Sequence, residues 1–473
     1  MTDQHTLISL FAGAGGLDIG LERAGFSSLV VNELEVHACE TLRQNQALSL
    51  LPKDQFDEWF DVQLKQRCHH RVSPEYSNSL RKRLRNLSKR ESFLKQTQII
   101  EGDIRSISSA QFLEAAGKEA GEITLVAGGP PCQPFSRAGK RETVEVEDGR
   151  LFLEFVRVVD ECRPRWFLFE NVKGLTQSKT TVPYLSCLAC KKQSIISFDD
   201  RVEAIENKLK SSCKACGSTN TRIETPEISG GSLEIILNEF ESIGYRCQHK
   251  VLNAANFGVA QSRERLFIVG SRDGESFSWP RQTHQEPSVV RNVNTKQLAF
   301  FQDLPTQLKP RLSVKDVLWK TGHPEFGMLD YEKAVIWVKN VVRPHDEPVT
   351  WPLTRPSPTV GAHQGAKLAI APEGVPQEQL LRQQWHTKGH RQRDLPAVGV
   401  KHEMLSDQDL LELQTFPKDW YLYGTRMERA FQIGNAVPPT LAMAVGKSII
   451  EACSADKRVE KKSHFEESIA CQL

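Results

Sequence analysis

One cysteine stands in an unusual setting, Gly128-Gly129-Pro130-Pro131-Cys132-Gln133-Pro134-Phe135-Ser136, directly after the apolar run Ile123 to Val126. Prolines stiffen such a loop and glycines let a ligand approach, so a sulfur presented there at a strand end reads as a nucleophile. A buried structural cysteine, the competing reading, would hardly need that loop. A carboxyl group follows a second apolar run, in Glu170-Asn171-Val172 after Trp166 to Phe169. Desolvation at the edge of an apolar strand raises a carboxyl pKa and fits the group to donate a proton. In Gln261-Ser262-Arg263-Glu264-Arg265, the alternation of an extended chain brings Gln261, Arg263 and Arg265 to one face. Taken alone, that segment reads as two surface arginines in salt bridges.

Other residues point to ligands. A short apolar strand, Leu7 to Leu10, runs into Phe11-Ala12-Gly13-Ala14-Gly15-Gly16, after which Leu17, Ile19 and Leu21 open an amphipathic helix. The turn departs from the G-x-G-x-x-G fingerprint but shares its physics: glycines and helix N-terminal amides meet at a strand end, which favours a nucleoside-containing cofactor over a plain turn. Glu33 ends the next strand, where an acid can accept hydrogen bonds from ribose hydroxyls, and Asp103 after Gly102 is a candidate partner for an adenine amino group. Each acid by itself reads as an ordinary loop or capping residue. Cys187-x2-Cys190 and Cys213-x2-Cys216, with 22 residues between the pairs, suit tetrahedral thiolate coordination of zinc, while metal-free cysteines or a redox pair are the other readings. Four thiolates would leave no open position for water, so the zinc would be structural.

The elements that must carry these groups alternate. Strands are expected at Gln98 to Ile100, Ile123 to Val126, Trp166 to Phe169 and Leu266 to Val269, with helical patterns at Leu151 to Val159 and Leu233 to Ile243. That alternation predicts an α/β fold with a doubly wound, mostly parallel sheet. Two segments interrupt it: a basic stretch within about 50–97 and the cysteine-rich stretch at about 180–228. Between Lys65 and Lys95 there are ten Lys/Arg against two Glu. Leu80, Leu84, Leu87 and Leu94 are expected on one face of a helix there, which reads as a solvated helical insertion or as a phosphate-contacting arm. After Gly270 the pattern becomes irregular and reads as a smaller domain over 271–400, before helices return at Ser406 to Gln414 and Thr440 to Cys453.

At 473 residues, with 39% hydrophobic and 25% charged residues, the chain is long enough for two to three domains of about 150 residues each. Its net charge of +2 confines any nucleic-acid site to a local patch. The 11 cysteines, an odd number, argue for thiols, metal ligands or a nucleophile over a disulfide framework. No apolar run approaches the roughly 18 residues of a membrane span, and no basic leader precedes an apolar stretch, so a soluble cytoplasmic protein is expected.

In order and content the motifs resemble the S-adenosylmethionine-dependent DNA (cytosine-5)-methyltransferases. The likeness rests on Gly128 to Ser136, Glu170-Asn171-Val172, Gln261 to Arg265, Arg355-Pro356-Ser357-Pro358-Thr359 and Gly434-Asn435-Ala436-Val437-Pro438-Pro439. It implies a Rossmann-like methyltransferase fold over 1–270, a target-recognition region over 271–400, a segment at 401–455 returning to the catalytic domain, and a tail at 456–473. It also implies catalytic roles for Cys132, Glu170, Arg263 and Arg265. S-adenosylmethionine would be held by Phe11, Ala12, Gly13, Gly15, Gly16, Leu17, Glu33, Leu34, Asp103, Ile104, Pro130, Asn435 and Val437. Leu34 departs from the family, where an aromatic ring commonly meets the adenine.

The implied reaction is methyl transfer to C5 of a cytosine rotated out of double-stranded DNA, through a Cys132 adduct at C6. The implied setting is the bacterial cytosol, with a monomeric enzyme paired functionally to a restriction endonuclease. Within the interval from Leu266 to Thr354 the first part resembles the family's connector, and the remaining candidate reader, about Trp319 to Thr354, is short for the job, so the zinc insertion or Gly365 to Val400, with Arg382, Lys388, Arg391 and Arg393, is expected to add contacts. An RNA-directed enzyme of the same chemistry, or a catalytically inactive zinc-containing DNA-binding regulator, are the alternatives.

Overall fold

The computed structural model describes residues 5–67, 74–85, 93–131, 150–206, 208–209, 211–286, 308–318, 334–338, 349–359, 366–370 and 401–470. Its main sheet has seven strands: β1 His5–Leu10, β2 Phe26–Glu33, β3 Gln98–Glu101, β4 Leu125–Gly128, β5 Trp166–Val172, β6 Arg246–Asn253 and β7 Glu264–Ser271. They lie in the order β6-β7-β5-β4-β1-β2-β3. The five strands from β3 to β5 are parallel. Strand β7 runs antiparallel to β5, and β6 antiparallel to β7.

The helices that position the site are α1 Gly16–Ala24, α2 Val36–Leu50, α3 Ser109–Ala116, α4 Leu151–Cys162, α5 Gly231–Ser242, α6 Asp407–Leu413, α7 Arg426–Asn435 and α8 Pro439–Ala470. Local chemistry sets several of their starts. Ser108 with Gln111, Ser406 with Asp409 and Thr425 with Glu428 each form a reciprocal capping box. Gly25, at φ 118°, ends α1 in a left-handed cap.

Central strands are apolar on both faces because helices cover both. On one face Ile8, Leu10, Val126, Phe167 and Phe169 pack with Phe155 of α4 and Phe240 of α5; the Phe167 and Phe240 rings stack at 4.0 Å. On the other, Leu7, Leu125, Trp166 and Leu168 pack with Leu17 and Leu21 of α1 and with Leu441 and Val445 of α8. Burying each such side chain contributes about 1.5–3 kcal/mol. The first and last helices of the fold therefore share one core.

The expected doubly wound sheet is present, with strand ends shifted by up to a few residues. Strand β6 was not legible: its exposed residues Arg246, His249 and Lys250 mask an edge strand. Of the expected helix through Leu94, Pro74–Arg85 is helical and residues 86–92 lie outside the described residues. Leu80 and Leu84 are buried as anticipated, Leu94 sits in a turn at φ 57°, and Leu87 lies outside the described residues. The basic insertion is also less cationic than its own count implies. The preceding helix, Phe56–Arg67, supplies Asp57 to Arg81 at 2.8 Å and also to Arg85, and Asp61 to Arg81. The phenyl ring of Phe60 lies under the Arg81 guanidinium. These contacts favour the solvated helical insertion.

After Gly270 the chain is more regular than its sequence: strands 349–352, 334–338, 366–370 and 401–404 form, in that order, an antiparallel four-stranded sheet, the last strand lying beyond the expected boundary at 400. Arg382, Lys388, Arg391 and Arg393 lie outside the described residues. No helix among the described residues is long and apolar enough to cross a membrane.

Two acids of α1 lie beside this core, Asp18 buried and Glu22 half-buried. Burial pushes Asp18 up to about 6 and Glu22 to about 7. Both native pKa values exceed the unfolded ones, so their contribution is full below about pH 4 and is lost as pH rises through 6 and 7. Asp18→Asn should therefore reduce the fall in thermal midpoint between pH 5 and pH 8. An identical fall in both proteins would remove Asp18 from the explanation.

Candidate active site

The carboxyl ends of β1, β2, β3, β4 and β5 reach one edge of the sheet, and the antiparallel β7 begins at that same edge. Leu10 stands beside Gly128, Glu33 beside Glu101 and Arg265 beside Val172. Ligand sites of open α/β sheets lie at such carboxyl edges. Here one cavity of about 840 Å³ runs along it. Phe11, Ala12, Gly13, Leu17, Glu33 and Leu34 line one end, with Asp103 and Ile104 beside them. Pro130, Glu170, Asn171 and Arg265 line the other, and Asn435 and Val437 close a third wall.

The turn after β1 is tightly built. Phe11 holds a positive φ of 55°, a conformation that costs a non-glycine residue about 1–3 kcal/mol and concentrates at ligand sites. Gly13, also at φ 55°, has open space where a side chain would begin, facing the cavity. Its N–H donates to Glu33 Oε2 at 2.6 Å, while Leu34 and Glu35 N–H donate to Oε1. Burial raises the Glu33 pKa against these hydrogen bonds. Each carboxylate oxygen has two lone pairs, so Oε2 retains capacity for a ligand hydroxyl. Asp103 caps the turn Ile104–Ser106 and pairs with Arg105, which holds its pKa down. Gly15 and Gly16 do not line the cavity. A Cβ on Gly16 would fall 2.3 Å from the Val437 carbonyl, so this glycine lets the C-terminal segment close on α1.

At the other end Glu170 Oε1 meets Arg265 Nε at 2.9 Å, both side chains being about one-tenth exposed. Burial raises the Glu170 pKa, with Arg265 opposing it, and burial lowers that of Arg265. A Cβ on Gly129 would lie 2.6 Å from Glu170 Oε2, so only glycine leaves that carboxylate its place. Asn171 donates to the Pro130 carbonyl at 3.0 Å, two residues ahead of Cys132. Cys132 itself, with Gln133 to Ser136, lies outside the described residues.

Gln261, Arg263 and Arg265 do share the buried side, as alternation predicts, but only Arg265 lines the cavity. Arg263 is fully buried behind it and donates to the Gly434 carbonyl at 2.5 Å. Arg263, expected among the catalytic residues, thus stands behind the cavity lining and holds the C-terminal segment. Residues 355–359 zip onto the same segment: Ser357 N–H donates to Ala260, Ser262 N–H to Ser357, and Thr359 Oγ1 to Ser262.

The C-terminal segment is tied to α2. Asn45 exchanges two hydrogen bonds with the Tyr421 backbone, and Thr41 donates to Gln432 at 2.7 Å. Residues that sequence reasoning passed over, Met427 and Phe431, also line the cavity. Their spacing with Asn435, four residues apart on one helix, was the available signal.

In the cysteine-rich insertion, Cys187, Cys190, Cys213 and Cys216 bring their sulfurs within 4.8 Å of one another. Cys187 to Cys216 and Cys190 to Cys213 are each 3.6 Å apart. A zinc tetrahedron with Zn–S of about 2.3 Å has S···S edges of about 3.8 Å, so the set fits that ion. The insertion docks on the catalytic core through Tyr184 to Glu234 at 2.7 Å and an edge contact of Phe198 with Phe152.

The family model for C-5 cytosine-specific DNA methylases matches residues 5–66, 81–199 and 227–451. The type II methyltransferase M.AquIA of Picosynechococcus sp. is 33% identical over 315 residues, 67% of this chain and 88% of that protein. M1.HphI of Haemophilus parahaemolyticus is 26% identical over 94% of this chain and 87% of its own. M.FnuDI of Fusobacterium nucleatum is 24% identical over 96% and 97% respectively. The chain belongs to the C-5 cytosine-specific DNA methylase family. It is a methyltransferase of cytosine in DNA, a class whose methyl donor is S-adenosylmethionine.

Gly129→Ala should displace the Glu170 carboxylate and lower methyl transfer at least tenfold, since small misplacements of a catalytic group are costly. Its melting temperature should stay within a few degrees of the parent. Unchanged methyl transfer would show that the close approach has no catalytic consequence.

Proposed function

We propose that this enzyme methylates C5 of one cytosine within a short duplex DNA sequence, by way of a covalent adduct between Cys132 and C6 of the extruded base. The observation that carries the reading is that one cavity joins the two groups: the Gly13 and Glu33 turn at one end, the Glu170 and Arg265 pair at the other. Phe11, Ala12, Leu17, Leu34, Ile104 and Asp103 would surround the nucleoside part of the donor, and Asn435 and Val437 its amino-acid end. When bound there, S-adenosylmethionine supplies an electrophilic methyl group.

Cytosine C5 is a weak nucleophile in an aromatic ring. Attack of the Cys132 thiolate at C6 breaks the aromaticity and places enamine density on C5, which takes up the methyl group; a base then removes the C5 proton, and elimination expels the thiolate from C6 and restores the aromatic ring. Glu170, its proton affinity raised by burial, would hydrogen-bond N3 and the exocyclic amine and so stabilise charge developing in the ring. Arg265 would face O2 and hold Glu170 in register. C6 is stacked and out of reach within a duplex, so the base must leave the helix at a cost of a few kcal/mol. Asn171, gripping the Pro130 carbonyl, would fix the start of the loop that brings the sulfur to the base.

The relatives' type II designations support assignment to the modification half of a restriction system; the enzyme would act as a monomer beside a separate endonuclease. Residues 271–400 would read the target sequence, with DNA contacts added from the insertion. Cys132→Ser should abolish transfer of a tritiated methyl group to DNA while DNA binding persists, and tRNA should be no substrate for the parent. A serine variant that still methylates, or a preference for tRNA, would contradict the proposal.

Cys187, Cys190, Cys213 and Cys216 would hold one structural zinc ion, bracing the insertion against α4 and α5. Elemental analysis of the purified protein should find one zinc per chain, and Cys213→Ser should lose it and melt at lower temperature. Metal-free protein with an unchanged melting temperature would reject the site.

A further inference from the structure

We infer that Met427 and Phe431 form the platform on which the adenine ring of the methyl donor rests, a contact that the aliphatic Leu34 alone does not supply. The inference rests on the reading of the cavity as the donor site. Large apolar side chains left exposed together mark a surface that something covers. Leu34, Met427 and Phe431 are 55%, 71% and 38% exposed, and all three line this one cavity.

Met427, Phe431 and Asn435 are spaced four apart along α7, so they fall on successive turns of one face. Asn435 is the inner end of that row, next to the Val437 carbonyl that packs on Gly16 and hence next to the glycine turn. The row then leads outward along the cavity, away from the groups that would take the amino-acid end of the donor. Glu33 and Leu34, which precede α2, line the same cavity where α7 runs beside the start of that helix.

The platform is firmly mounted. Glu428 closes the capping box of α7 and bridges to His37 of α2 at 2.9 Å, and the His37 ring stacks on Tyr423. Gln432, between Phe431 and the inner end, accepts from Thr41 of α2. Thus the wall carrying Met427 and Phe431 is pinned to the helix that follows Glu33 and Leu34. A flat, weakly polar ring bound there gains an aromatic face from Phe431, a polarisable thioether from Met427 and aliphatic contact from Leu34. Of the donor's parts, adenine alone is flat and aromatic; the ribose hydroxyls and the charged amino acid require the polar groups further in.

The test measures dissociation constants of the full chain by titration calorimetry, for S-adenosylmethionine and for 5′-methylthioadenosine, which keeps the adenine nucleoside and lacks the amino acid. Met427→Ala/Phe431→Ala should weaken both ligands by about tenfold or more, in line with the loss of one base-stacking contact. Leu34→Trp in that background should recover much of the loss by stacking from position 34, an effect that misfolding would not produce. Parental affinity in the double variant would overturn the inference, as would weakened S-adenosylmethionine binding with unchanged 5′-methylthioadenosine binding. Glu33→Ala separates the two levels. If it abolishes donor binding while the double variant binds normally, only the platform fails; if it leaves donor binding untouched, the reading of the cavity itself fails.

Discussion

A buried ion pair at the sheet edge sets the terms for the rest of the site. Glu170 and Arg265 face each other because β7 enters antiparallel beside β5, so that the last residues of one strand meet the first of the other. Taking two charges out of water is unfavourable unless each finds its partner in good geometry, and losing one partner leaves the other stranded. The surroundings are built accordingly. Gly129 clears space for the carboxylate, Asn171 takes the neighbouring Pro130 carbonyl, and residues 355–359 zip onto the segment leading into Arg265. The pair is thereby aimed into the cavity with little freedom, which is what stabilising charge on a bound ring requires.

The same segment reaches the far end of the chain. Arg263, one alternation step before Arg265, reaches the Gly434 carbonyl. The next residues, through Val437, then press onto Gly16 in the first helix. The cavity, lined by residues from Phe11 to Val437, is thus held together by shared packing between α1 and α8. Separating them would open both ends at once, which gives the long return of the chain a physical reason.

Much of this was legible in the sequence because the site sits where local rules are strongest. Apolar runs ending in Gly-Gly-Pro-Pro, Glu-Asn-Val and Phe-Ala-Gly mark strand ends, and strand ends mark the cavity. Period-two alternation correctly put Gln261, Arg263 and Arg265 on one side. It could not distinguish Arg265, in the cavity, from Arg263, behind it, since that depends on the position of the Gly434 carbonyl 171 residues away. The packing part of Gly16 was hidden for a similar reason: its close neighbour comes from the C-terminal segment. Strand β6 escaped notice because its exposed face breaks the apolar pattern. The basic stretch looked unpaired because its acids, Asp57 and Asp61, precede the window in which its charges were counted.

The central claim is that a sulfur at position 132 bonds to C6 of the base held by Glu170 and Arg265. Its most direct test is incubation of the enzyme and S-adenosylmethionine with duplex DNA in which 5-fluorocytosine replaces cytosine, because fluorine at C5 blocks the final elimination. The account predicts a protein–DNA adduct stable to denaturation, with peptide mass spectrometry locating the modification on Cys132. Methylation of ordinary DNA by the same preparation, with no adduct on the fluorinated duplex or an adduct on another residue, would contradict it.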